Sequence, residues 1–175
     1  MTNPGAHLQL KALPGLPMVQ PGDDLAALVL EGCEAMGEKP ASGDVLILAQ
    51  KIVSKSEGRM AALADVTPSP EALSLAKEVQ KDPRLVELIL SESVKVIRHR
   101  PGVLVVEHRL GLIMANAGID KSNVGPAEEG EQVLLLPVDP DASARKLRSE
   151  LARRCGCNLA VIISDSVGRA WRTGT

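Results

Sequence analysis

The chain of 175 residues contains no Phe, no Tyr and a single Trp. It therefore lacks the aromatic platforms on which unpaired bases stack, and its core must be packed from Leu, Val, Ile, Ala and Met. Neither sign of charge is in excess. Twenty Lys and Arg face 22 Asp and Glu, for a net charge of −2 and a pI near 5.9, which argues against a nucleic-acid partner. Cysteine is scarce: Cys33, Cys155 and Cys157 are odd in number and lack zinc-ligand spacing. Cys155-Gly-Cys157 has the form of a redox pair, but Cys33 and Cys155 also fall on apolar helix faces, where reduced, buried thiols are the commoner outcome. No apolar run reaches membrane-spanning length and no signal-peptide pattern opens the chain, so the expectation is a cytoplasmic protein with no membrane partner. Phosphate-binding glycine loops are also missing, both G-x-x-x-x-G-K-[ST] and a G-x-G-x-x-G placed after a strand.

What is present is an ordinary globular balance, 45% apolar and 24% charged, long enough for one well-buried domain. Alternation over residues 7–13 predicts a first strand, ended by Pro14-Gly15. Pro21-Gly-Asp-Asp starts a helix with Leu25, Leu28, Val29, Cys33 and Met36 on one face. The apolar run over residues 45–49 reads as a strand covered on both sides. Helices are expected after Ser69-Pro, Asp82-Pro and Asp139-Pro, the last carrying Leu147, Leu151 and Cys155 inward and stopping at Gly156. Strands are expected near residues 94–98, 103–107, 133–136 and 158–164. The polar link over residues 125–131 reads as solvent-exposed. Together these elements predict an α/β fold of the mixed α+β kind.

Two segments run from apolar stretches into short loops rich in Asp, Asn, Ser and Gly. These are Gly111-Leu-Ile-Met-Ala-Asn-Ala-Gly-Ile-Asp-Lys-Ser-Asn-Val124 and Ile162-Ile-Ser-Asp-Ser-Val-Gly-Arg-Ala-Trp-Arg172. Strand ends deliver polar side chains to a rigid rim, so Asp120 and Asp165 can serve as oxygen ligands to one hard cation, beside Ser122, Asn123 and Ser166. The competing reading is that both acids bond their own turn backbones, as Asp commonly does. Lys51 and Lys55 can turn toward one anion, with Arg59 further along, or can be solvated lysines in a loop. Arg169 and Arg172 can clamp a carboxylate or phosphate, or be surface charge with Trp171 between them. His7, His99 and His108 show no metal or nucleophile spacing and read as structural. An aspartyl-phosphate enzyme of the haloacid-dehalogenase type is excluded because Val167 stands where its second Asp is needed.

The chain resembles the F420:gamma-glutamyl ligase (coenzyme F420-0:L-glutamate ligase) family. The matching blocks are Gly15-Leu-Pro-Met-Val19, Gly43-Asp-Val-Leu-Ile-Leu-Ala-Gln-Lys-Ile-Val-Ser-Lys-Ser-Glu-Gly-Arg59, Met114-Ala-Asn-Ala-Gly-Ile-Asp-Lys-Ser-Asn-Val124, Leu134-Leu-Leu-Pro-Val-Asp-Pro-Asp-Ala-Ser-Ala144 and Ile162-Ile-Ser-Asp-Ser-Val-Gly-Arg169. The resemblance implies a homodimeric ligase domain over residues 1–175, acting on small molecules: F420-0, L-glutamate and GTP. It implies an acyl-phosphate intermediate and a requirement for Mg2+ or Mn2+ and for K+. Carried over by position, Asp120, Asp165 and Ser166 match the metal ligands. Leu16, Pro17, Met18, Val19, Gln50, Lys51, Lys55 and Asn123 match the GTP contacts, and Lys55 and Arg169 the catalytic cations. Val167 and Ala170 depart from the residues usual at those places. The stop at Thr175, close behind this site, is read as a truncation on the C-terminal side. A non-catalytic nucleotide- or metal-binding domain, or an inactive fragment of such a ligase, is therefore the alternative expectation.

Overall fold

The computed structural model describes residues 8–121 and 131–165 and has the expected mixed α/β character. Helix α1 (Leu25–Ala35) begins where the Asp24 carboxylate accepts the Ala27 N–H at 3.1 Å. Strand β1 (Val45–Ala49) leads without a loop into α2 (Gln50–Ser56), and then come β2 (Met60–Ala62), α3 (Pro70–Val79) and α4 (Pro83–Ser91). Strands β3 (Ser93–Arg100), β4 (Val103–His108) and β5 (Ile113–Ala115) form an antiparallel meander. Strand β6 (Gln132–Leu134), α5 (Pro140–Cys155) and β7 (Ala160–Ser164) complete the order.

Helices α3, α4 and α5 start at Ser69, Asp82 and Asp139, each with its side chain accepting a first-turn N–H and a Pro directly behind it. Helix α5 ends at Gly156, whose φ of 69° supplies the left-handed cap. The segment over residues 50–58, which also admitted a reading as a solvated loop, forms helix α2 over Gln50–Ser56, with Gln50, Val53 and Ser54 buried, and then turns. The alternating segment near the start forms no strand over residues 8–13, and Leu8 and Leu10 are exposed. Alternation alone does not make a strand where no neighbouring edge accepts its hydrogen bonds. Leu13 instead packs beside Gly32 of α1.

The sheet is divided. β1 and β7 pair in parallel, from Val45 opposite Ala160 to Ala49 opposite Ser164. β2 and β6 form a short antiparallel ladder, extended by a bridge between Asp120 and Leu134. One core packs α1 and α5 on the β1/β7 pair through Ala26, Val29, Leu48, Leu147, Leu151 and Leu159. The other packs α3 and α4 on the meander and β2/β6 through Leu63, Val79, Val86, Ile89, Leu104, Val106 and Val133. Neither contains an aromatic ring, and each fully buried Leu, Ile or Val side chain contributes on the order of 1.5–3 kcal/mol. The expectation that β1 is covered on both sides is corrected: Val45 and Ile47 are about half exposed, as is Ile162 opposite Ile47. Among the described residues only one face of this pair is buried.

The cysteines are all free thiols, Cys157 buried and Cys33 and Cys155 partly so. A hydrogen bond with Cys155 and then burial push the Cys157 thiol up to about 11, and burial also raises Cys33. Such thiols stay protonated and unreactive.

The two cores meet at a charged cluster. Glu92, at the end of α4, is 6% exposed and accepts from Arg59 at 2.8 Å and lies 2.9 Å from Arg109. His108 is fully buried beside it. The Leu110 N–H donates to His108 Nδ1 at 3.0 Å, which places the ring proton on Nε2, facing Glu92 Oε2 at 3.5 Å without a hydrogen bond. Burial holds the His108 pKa below its ordinary value, outweighing the pull of Glu92, so the ring is neutral.

Glu92→Gln leaves two arginines without their shared counter-charge and should cost about 3 kcal/mol in urea unfolding, while Lys95→Gln, at the exposed Lys95–Glu107 pair, leaves the midpoint unchanged. An equal response of both variants rejects the central place given to Glu92. For His108 the folded pKa lies below the unfolded one, so its stability contribution is complete above about pH 6.5 and declines as pH falls, because the unfolded chain takes up the proton first. Unfolding free energies measured from about pH 7 to about pH 5 should fall more steeply for the native chain than for His108→Gln. Parallel slopes exclude a neutral buried His108 as the source.

Candidate functional site

The C-terminal ends of β1 and β7 point the same way, the geometry that places ligand-binding groups at one edge of a parallel sheet. Ala49 ends β1 opposite Ser164 in β7, so Gln50 and Lys51 emerge beside Asp165. Asp120 reaches the same place from the other core. Its backbone exchanges two hydrogen bonds with Leu134 of β6, at 3.0 and 2.8 Å, and its carboxylate forms an ion pair with the Lys51 ammonium. Both side chains are about a third exposed, so the pair itself contributes under about 1 kcal/mol. Its chemical meaning lies elsewhere: Asp120 already holds a cation.

The first turn of α2 is fixed from below. Ser54 donates its hydroxyl to Gln50 Oε1 at 2.9 Å, and both are buried. Lys55 lies four residues after Lys51, on the same side of the helix and half-buried. The segment with Leu16, Pro17 and Met18 exposed and Val19 buried runs toward the far end of this helix, where the Gly22 N–H donates to Ser56 O at 2.8 Å. Lys51, Asp120, Gln50 and Asp165 thus lie near the start of α2 and Lys55 follows one turn along, while the segment with Leu16, Pro17, Met18 and Val19 passes α1, where Leu16 lies beside Gly32, on its way to the C-terminal end of α2. Asn123, Ser166 and Arg169 lie outside the described residues, as do Ser122, Trp171 and Arg172. Arg59 does not belong to the cation group: its Nε donates to Leu136 O at 2.9 Å and its Nη2 to Glu92. It is a structural clamp.

Asp120 is set by an unusual turn. Asn116, Ala117 and Gly118 have φ values of 52°, 52° and 67°, three successive left-handed residues. Ala117 is fully buried in that conformation and the Asn116 Oδ1 is buried without a partner. Left-handed geometry costs a non-glycine residue roughly 1 kcal/mol, so the surrounding packing must hold the turn. By its residue types alone this stretch reads as a polar loop. Gly118 was the one visible signal, since glycine tolerates positive φ.

With two carboxylates and no Cys or His among them, Asp120 and Asp165 offer oxygen donors only, which suits Mg2+ or Mn2+ rather than a softer ion. Among the described residues no three acidic, His or Cys side chains converge. A shallow groove lined by Gly43, Asp44, Arg145, Arg148 and Asn158 lies at the opposite, N-terminal end of the strand pair. It contains none of these residues.

Over residues 15–175 the sequence matches the family model described as F420-0:Gamma-glutamyl ligase. The chain belongs to this family. It is 45% identical over 167 residues to the coenzyme F420:L-glutamate ligase of Methanothermobacter thermautotrophicus, and 43% over 167 residues to that of Methanopyrus kandleri. The corresponding protein of Halobacterium salinarum is 41% identical over 169 residues. These matches cover 93–95% of this chain and 61–65% of the relatives, so the chain spans a little under two thirds of their length. All the ligase-family blocks that carry the candidate site fall inside the matched range.

Gly118→Ala tests the turn. A Cβ there would lie 2.9 Å from Met114 Cε and 3.1 Å from Leu136 Cδ1, at a φ of 67°. The expected loss is about 2–3 kcal/mol by chemical denaturation, against about 1 kcal/mol for Gly111→Ala, whose φ is also positive but whose Cβ meets nothing within 4 Å. Equal losses would mean that packing around Gly118 does not hold the turn.

Proposed function

We propose that the chain carries the nucleotide- and metal-binding part of a GTP-dependent ligase that joins L-glutamate to the deazaflavin F420-0 by an amide bond. Family membership supports this, and one geometric observation carries it: Lys51 of α2 meets Asp120 at the C-terminal end of the parallel β1/β7 pair. A lysine and a carboxylate thus share one edge, which suits a reaction that crowds anionic oxygens together.

In this reading the acceptor carboxylate attacks the terminal phosphorus of GTP and GDP departs, leaving an acyl phosphate. The glutamate amine then attacks the acyl carbon, an N–C bond forms, phosphate leaves and the amine loses its proton. Lys51 and Lys55 offset phosphate charge, and Arg169 assists as the charge develops. Leu16, Pro17, Met18, Val19, Gln50 and Asn123 hold the nucleotide. Asp120, Asp165 and Ser166 would hold Mg2+ or Mn2+, which when bound screens the phosphate oxygens. A K+ requirement and a homodimeric, cytoplasmic enzyme complete the proposal.

The chain incubated with GTP, Mn2+, F420-0 and L-glutamate should release GDP only when both acceptor and glutamate are present. Asp120→Asn and Asp165→Asn should each lower turnover at least about 100-fold with unchanged circular dichroism. Undiminished turnover in both variants rejects the metal assignment. GTP that is bound but never consumed marks the chain as a non-catalytic binding domain.

A further inference from the structure

Lys51 and Asp120 are assigned by the proposed function to two different ligands, nucleotide and metal, yet here they neutralise each other. The two partners come from separate parts of the fold. Lys51 lies in the first turn of α2, whose buried side anchors it through Val53 and the Gln50–Ser54 bond. Asp120 is pinned by its two backbone bonds to Leu134 and by the left-handed turn behind it. Both backbones are tied by hydrogen bonds, whereas the Lys51 side chain has four rotatable bonds and is about a third exposed. The movable part of the contact is the ammonium.

From this geometry we propose that the Lys51 ammonium is a built-in stand-in for the divalent cation, which makes metal and nucleotide binding mutually reinforcing. The inference rests on the reading of Asp120 as a metal ligand and deepens it. An Asp120 oxygen that accepts from Lys51 is hindered from ligating a cation, and a Lys51 held by Asp120 is turned away from a phosphate. Two arrangements follow. In one, Lys51 covers Asp120. In the other, Lys51 turns toward phosphate and exposes the carboxylate. A divalent cation and a nucleotide phosphate both select the second, so each raises the affinity for the other by the same factor. Without either ligand, Asp120 keeps a counter-charge and the site avoids like-charge repulsion between its two carboxylates.

The experiment is Mn2+ binding to the full 175-residue chain, followed by the paramagnetic resonance of unbound Mn2+, with and without GTP. Lys51→Gln removes the stand-in, so Mn2+ alone should bind about three- to fivefold tighter than to the native chain, the range expected for a partly exposed pair. GTP should then add less to Mn2+ affinity than it does in the native protein. Lys55→Gln removes an equal charge one turn along the same helix without breaking the pair. It should change Mn2+ affinity by less than Lys51→Gln does, and Lys51→Arg should bind Mn2+ as weakly as the native chain. Unchanged or weaker Mn2+ binding in Lys51→Gln overturns the stand-in, as does an equal gain in Lys55→Gln, which would reduce the effect to general electrostatics. Failure of the underlying reading looks different: the native chain and every folded variant, Asp120→Asn included, would then show the same Mn2+ binding or none.

Discussion

Arg59 and Glu92 form the contact on which the arrangement depends. Arg59 sits where α2, which grows from the parallel strand pair, passes into β2, which belongs to the other core. Its backbone carbonyl accepts the Leu135 N–H at 2.9 Å, its backbone N–H donates to Ser54 O at 2.9 Å, and its side chain joins Leu136 O to Glu92. One residue therefore holds α2, β6 and the end of α4 in register. Because Leu134 is bridged to Asp120, that register also sets how Lys51 faces Asp120. A buried carboxylate between two arginines costs desolvation that its partners only partly offset, so such a cluster specifies geometry more than it adds stability.

Around this contact the fold uses aliphatic packing in two separate cores. Without aromatic rings, neither core has a large plate to span a gap, and each relies on branched side chains from helices laid against short strands. The site lies where the cores abut: α2 brings the lysines from one side and the Asn116–Gly118 turn brings Asp120 from the other. Stability at this border comes from hydrogen bonds and charge, which are directional. Apolar contact tolerates sliding, whereas a guanidinium bonded to a carbonyl and a carboxylate does not.

Much of the architecture was legible in advance. Ser69-Pro, Asp82-Pro and Asp139-Pro each marked a helix start because their side chains cap the first turn, and Gly156 marked a stop because only a left-handed residue closes that helix end. The strands over residues 93–108 followed from apolar content around the Pro101-Gly102 turn. The chain's opening alternation misled, because a strand exists only with a partner edge. The apolar run of β1 also misled: continuous hydrophobicity is a property of the run, but coverage is a property of its neighbours. Helix α2 stayed ambiguous since seven residues hold too few turns for periodicity to show.

The candidate residues divide in the same way. The sequence alone identified the residue types and the loops that carry them, namely two acids at the ends of apolar runs and lysines four residues apart, because local chemistry and spacing are written there. It also carried the family resemblance, which the comparisons bear out. Tertiary structure alone decided that Arg59 is a clamp and not an anion ligand, that His108 is a neutral buried ring, and that Lys51 pairs with Asp120, 69 positions further along the chain. Those outcomes depend on which segments meet, and a charged side chain takes its role from whatever the fold sets opposite it.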